Sequence, residues 1–360
     1  MREVFVLQAI YSISIVALEI PSGYIADVYG RKKAIVFGSI MGFIGYGIYS
    51  FTNGFTGFLF AEIILGIGQS MISGADSALL FVSLAEYRKE NEYLKIEGRM
   101  VSIGNFAEAT AGIIGGLLAG VSIRYPYYFQ TAVSFIAIPA AIRLIEPNVL
   151  TKNIEFGWSN IISIVKYSLI SNNRLKWSII YSSIIGASTL TMAWFVQPWL
   201  IRLELPVRWY GIVWTILNLS VGISALYAYK LEIRLGRTAT AFVFTTVLAF
   251  GFISISFINS YFGLIILLLF YISRGIATPI LKDYINQLAP SSMRATVLSV
   301  RNFIIRIIFA IWGPLYGWIT DKISLKMALL AAGLIFTFAS SISLFYFSKA
   351  YQKNDLELDS

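Results

Sequence analysis

Glu62, Gln69, Ser73 and Asp76 stand seven, four and three residues apart in a stretch, 55 to 85, that is otherwise almost wholly apolar. On a helix that spacing puts all four on one face. Glu62 then lies in the outer half and Asp76 in the inner half, with Gly66 and Gly68 between them for close helix approach. Asn105 and Glu108 share a face of the next apolar stretch. Arg274 and Arg306 lie near the middle of two later ones, with Lys282, Asp283 and Arg301 nearer their ends. A carboxyl group withdrawn from water holds its proton more tightly and loses it when a cation approaches, the property a proton-coupled carrier needs. Glu62, Asp76 and Glu108 are therefore candidate proton or cation-substrate sites, with Gln69 and Asn105 beside them. Arg274 and Arg306 are their candidate counter-charges or anion contacts. Each competes with a plainer role as one member of a fixed interhelical tie, the role that suits Lys282 and Asp283 best.

The elements that must carry these groups follow from composition. Of 360 residues 57% are apolar and 13% charged, against about 25% charged in soluble domains. Apolar stretches of about 20 residues, the length that crosses a bilayer core, recur near 4 to 24, 34 to 52, 55 to 85, 99 to 119 and 127 to 145. A second set runs near 177 to 201, 209 to 229, 239 to 257, 261 to 288, 295 to 319 and 327 to 348. The fold class expected is thus an all-α polytopic membrane protein of five plus six spans. Its domains are an N-terminal bundle over 1–145, a linker over 146–176 and a C-terminal bundle over 177–360. The linker includes a short amphipathic piece from Phe156 to Ile170, suited to the membrane surface. Trp194, Trp199, Trp209, Trp214, Trp312 and Trp318 fit interfacial belts; Trp194 and Trp214, deeper than the rest, are the better cavity candidates, with Asn218 as a hydrogen-bonding neighbour. The glycines of "AGIIGGLLAG" suit close helix packing. There is no Cys and no His, which removes thiol nucleophiles, disulfides, zinc sites and imidazole bases.

The formal charge of +9 is sorted by side. Eighteen Lys and Arg fall on one side of the spans, six on the other and four within them. By the positive-inside rule the rich side is cytoplasmic and holds the C-terminus, so the basic balance calls for no nucleic acid. One polar knot stands out on that side, "GYIADVYGRKK", residues 23 to 33. Asp27 suits the cap of the following helix and can face positive helix ends or Arg nearby. Gly23 permits close approach, Gly30 frees a turn, and Arg31, Lys32 and Lys33 anchor the loop. Gly236-Arg237, after the second span of the second set, repeats Gly30-Arg31 at a distance of 206 residues, as in duplicated transporter folds. Glu19, two residues before Pro21, is read as a support for a kinked span end.

The knot resembles the signature loop of the major facilitator superfamily, G-x-x-x-D-[RK]-x-G-R-[RK]-[RK], with Gly23, Asp27, Gly30, Arg31, Lys32 and Lys33 in place and Val28 departing from the usual base. The resemblance implies two pseudo-symmetric helix bundles and a cytoplasmic latch at this loop. Because the family's loop joins the second and third of twelve spans, it also implies that the first span is lacking here. The implied activity is secondary transport by alternating access, coupled to protons as in the commonest family members, with efflux of a drug-like or small organic substrate. The implied partners are that substrate, protons and the lipid bilayer, for a monomer in the plasma membrane needing no cofactor or metal. A polytopic membrane enzyme and a non-transporting truncated remnant or sensor are the alternatives.

Overall fold

The computed structural model describes residues 2–147, 157–206 and 209–358. Residues 148–156 of the expected linker, Phe156 among them, lie outside these. The described residues fold into α-helices with no strand: α1 (Arg2–Tyr29), α2 (Arg31–Phe51), α3 (Phe55–Ile72), α4 (Ala75–Glu86), α5 (Tyr93–Val121), α6 (Tyr125–Ile142), α7 (Trp158–Lys166), α8 (Asn173–Arg202), α9 (Tyr210–Leu226), α10 (Ala228–Phe257), α11 (Phe262–Leu288), α12 (Arg294–Lys322) and α13 (Leu325–Leu358). With α3 and α4 sharing one stretch and α7 set aside, the helices fall on the eleven predicted stretches. Eight stretches among the described residues are long and apolar enough to cross a membrane, and α9 is a shorter apolar helix. The chain is a multi-pass, all-α membrane protein.

Two backbone breaks repeat each other. Between α1 and α2 the loop shrinks to Gly30, at φ 114 and ψ 133. Inside α10 Gly236 stands at φ 72 and ψ 172. Both conformations belong to a region that essentially only glycine occupies, and each is followed by an arginine. The Gly-Arg repeat is therefore the same sharp helix break made twice.

Contacts group the chain into two compact units. One holds Met1–Asn91, Ile114–Ser168 and Asn286–Phe303; the other holds Glu92–Ile113, Leu169–Ile285 and Ile304–Ser360. In the first, α3 packs on α1 and α2, and α2 packs on α6. Gly68 makes the α2 contact possible: a Cβ there would meet the Gly38 carbonyl oxygen at 2.9 Å. In the second, α13 packs on α8 and α10 over an aromatic core that includes Tyr181, Phe244, Phe252, Phe270, Phe336 and Phe347. Trp199 belongs to this core, 1% exposed, so it is not the belt residue expected; its indole lies where a Cβ on Gly263 would be. The glycines of "AGIIGGLLAG" also depart from expectation. A Cβ on Gly115, Gly116 or Gly120 would meet nothing within 4 Å, on a stretch only 11% buried against 61% for α8. α7 is amphipathic as expected, Ile161 buried beside exposed Trp158 and Ile162.

Candidate functional site

The polar knot forms the best-defined polar site of the first unit. Asp27, 4% exposed in the last turn of α1, accepts hydrogen bonds from the Thr296 amide (2.8 Å), the Thr296 hydroxyl (2.8 Å) and the Ala295 amide (3.2 Å). Arg31 Nη2 donates to it at 2.7 Å and also to the Ser291 carbonyl oxygen. Asp27 thus caps the start of α12, where unpaired amides and the positive helix end favour a carboxylate, and not the start of α2 as its sequence position suggested. It lies past the predicted span end at residue 24. Burial pushes its carboxyl above the ordinary range, opposed by the Arg31 charge and by the Thr296 amide and hydroxyl. Gly23 lets α1 and α12 meet: a Cβ there would overlap Ser299 Oγ and sit 2.9 Å from the Ala295 carbonyl oxygen. Lys33 is exposed and Lys32 half-buried.

The α2 amides that Asp27 leaves are taken by Glu146. Its Oε1 accepts from the Arg31 amide at 3.1 Å and its Oε2 from the Lys32 amide at 2.6 Å. Sequence reasoning passed over this residue, whose only signal is an acid directly after a span and before Pro147.

The stripe Glu62, Gln69, Ser73 and Asp76 is not one helical face. α3 stops at Ile72, Gly74 stands at φ 78, and Asp76 belongs to the first turn of the new helix α4. Glu62, buried, accepts the Tyr49 hydroxyl at 2.6 Å. Gln69 joins it in lining a cavity of about 480 Å³ with Tyr11, Tyr46, Tyr49 and Tyr127. Asp76 accepts the Ser77 amide. Ser73 turns to a different partner: its hydroxyl donates to Glu19 Oε1 at 2.5 Å and accepts from Asn302 Nδ2 at 2.8 Å.

In the second unit, α5 brings Glu108 and α11 brings Arg274 to the same tyrosine. The Arg274 guanidinium lies 5.7 Å from the Tyr271 ring centroid, and both charges act on the Tyr271 hydroxyl. Glu108 is exposed while Tyr271 is fully buried. Asn105 and Asn218 spend their amides on carbonyls one turn back, Val101 and Trp214. Trp194, expected deep, is 58% exposed and stacks on Phe309. Arg306 is half-buried on α12. Lys282 pairs with Glu97 at 2.7 Å, the acid side chain 1% exposed. Glu97 was also passed over, because the charged run at 86 to 99 reads as a loop and the helix in fact starts at Tyr93.

With this geometry in place, the comparison with known proteins is decisive for the family. The model of the Major Facilitator Superfamily matches residues 3–313. The chain belongs to the Major Facilitator Superfamily. It is 26% identical over 164 residues to an uncharacterized MFS-type transporter of Methanocaldococcus jannaschii, covering 45% of this chain and 42% of that one. It is 26% identical over 178 residues to the quinolone resistance protein NorA of Staphylococcus aureus, covering 46% and 44%. The chain thus spans less than half the length of these relatives. Two solved structures share the superfamily fold. The human organic anion transporter MFSD10 aligns with TM-score 0.77 at 13% identity, over 95% of this chain and 82% of that one. FucP in the outward conformation aligns with TM-score 0.74 at 17% identity, over 94% and 89%.

Proposed function

We propose that this superfamily member is a secondary active transporter that exports a small, drug-like organic molecule in exchange for protons by alternating access. The observation that carries the reading is the Asp27 tie. A carboxylate of the signature loop holds the first amides of α12 by hydrogen bonds alone, so the contact is strong enough to define one state and weak enough to be broken and remade. The Arg31 charge beside it opposes the upward push of burial on the carboxyl while the contact is closed. The functional halves are 1–145 and 177–360, joined by 146–176, and they rock about a midplane site. The chain works as a monomer in the plasma membrane with its C-terminus in the cytoplasm, the side that carries the excess of Lys and Arg.

Similarity to a quinolone resistance protein supports a drug-like substrate. Glu108 serves as a proton site, because its charge and that of Arg274 both reach Tyr271. Glu62 and Asp76 are the further acidic candidates, with Gln69, Asn105, Asn218, Trp194 and Arg306 as lining contacts. The test is efflux of a fluorescent quinolone from vesicles under an imposed pH gradient. Gradient-dependent flux that disappears in Glu108→Gln is expected. Equal flux with and without the gradient would refute proton coupling, and equal flux in the variant would remove Glu108 from it.

A further inference from the structure

Four side chains of the first unit form a directional hydrogen-bond chain. Arg301 Nη1 donates to Asn302 Oδ1 at 2.9 Å, Asn302 Nδ2 to Ser73 Oγ at 2.8 Å, and Ser73 Oγ to Glu19 Oε1 at 2.5 Å. Each middle member accepts from one neighbour and donates to the next, so the series runs without conflict from a guanidinium to a carboxylate. Both ends are buried, Arg301 at 7% exposed and Glu19 at 0%. The last link is the shortest of the three. Its hinge member, Ser73, is the cap between α3 and α4, next to Gly74 at φ 78.

We propose that Glu19 is a proton-binding site of this protein, and that Ser73 and Asn302 report its protonation state to α12. The inference rests on the proton-coupled reading above for its role in transport, though not for its chemistry. Pro21 sits within α1, and the Glu19 carboxyl reaches outside that helix to Ser73, so its role is not confined to the span end. Protonating Glu19 turns a charge-assisted bond into a neutral one of about half the strength. The hold of α12 on the break between α3 and α4 then loosens.

The charged groups on the elements packed against α1 divide by level. Arg301 on α12 is the donor end of the chain, and Asp76 on α4 stands three residues past Ser73, across the Gly74 break. Glu62 is eleven residues from Ser73, about 16 Å along the helix, and Asp27 is eight residues from Glu19, about 12 Å. Arg31, Arg294 and Lys166 belong with Asp27 at the loop end. Two neutral side chains, Ser73 and Asn302, join the Glu19 carboxyl to the Arg301 cation.

The test is hydrogen exchange of the full chain in lipid nanodiscs from pH 5 to 9, corrected for intrinsic amide rates and read on peptides covering 70–76 and 294–303. Protection of both segments is expected to fall about tenfold on acidification in a single-proton step. Glu19→Gln is expected to show the low protection at every pH, while Asp27→Asn keeps the step. Asn302→Ala is expected to abolish the step at 294–303 alone, and this decides the matter should Glu19→Gln fold poorly. A step that survives in Glu19→Gln or at 294–303 in Asn302→Ala, or no step in the unaltered protein, overturns the proposal. Loss of gradient-driven efflux with the step intact would instead refute the transport reading and leave the Glu19 site standing.

Discussion

Asp27 and Thr296 lie 269 residues apart and are joined by two 2.8 Å hydrogen bonds, one to the amide and one to the hydroxyl of the threonine. Asp27→Ala removes the acceptor of four donors and leaves the buried Arg31 charge without its 2.7 Å partner. An uncompensated buried charge costs about 3–5 kcal/mol. Asp27→Asn keeps one acceptor oxygen and is expected to lose less than half as much. Apparent melting temperatures in detergent micelles check the ranking; equal losses would show that the charge is immaterial.

Glu146→Ala uncovers the Arg31 and Lys32 amides at the start of α2. Losing a helix cap costs about 0.5–2 kcal/mol. Hydrogen exchange at 31–35 is expected to accelerate in Glu146→Ala and much less in Glu146→Gln, whose amide oxygen still accepts. Unchanged exchange in the alanine variant would mean that water replaces the carboxylate without penalty.

Glu97 and Lys282 form a pair with one member fully buried. Lys282→Met alone strands the acid and is expected to destabilise by about 3 kcal/mol or more. Adding Glu97→Gln should restore part of this, giving a coupling of about 0.5–3 kcal/mol in a double-mutant cycle. Additive losses would contradict a direct pair.

Gly30→Ala and Gly236→Ala force a side chain into backbone conformations that cost about 1–3 kcal/mol. Gly47, inside α2, is the matched comparison: a Cβ added there would meet nothing within 4 Å, and Gly47→Ala is expected to be neutral or stabilising. Thermal unfolding of the three variants side by side separates them.

Much of the fold was legible because a bilayer imposes a coarse rule: a span needs length and apolarity, and both are countable. The knot was legible as a break and as a cluster, since Gly30, Asp27 and Arg31 announce themselves within a few residues. Its partner was not. Capping is a local habit in sequence, so Asp27 pointed to α2, and the competing claim of Glu146 on α2 lies 115 residues away. The stripe from Glu62 to Asp76 failed for a related reason. Periodicity assumes an unbroken helix, and Gly74 was counted as a small residue when its backbone ends one helix and begins another. Glu19 was read against the proline two residues on, because its partner Ser73 lies 54 residues away.

The first unit contains Asn286–Phe303 although all its other residues precede 169. At synthesis rates of about 5–20 residues per second, the ribosome needs on the order of 15–50 s after making Asp27 before it makes Thr296. Throughout that interval the chain already holds Arg31, the partner that Asp27 meets across the Gly30 break. The Asp27 site is thus supplied in two instalments of synthesis, its arginine first and its amides last.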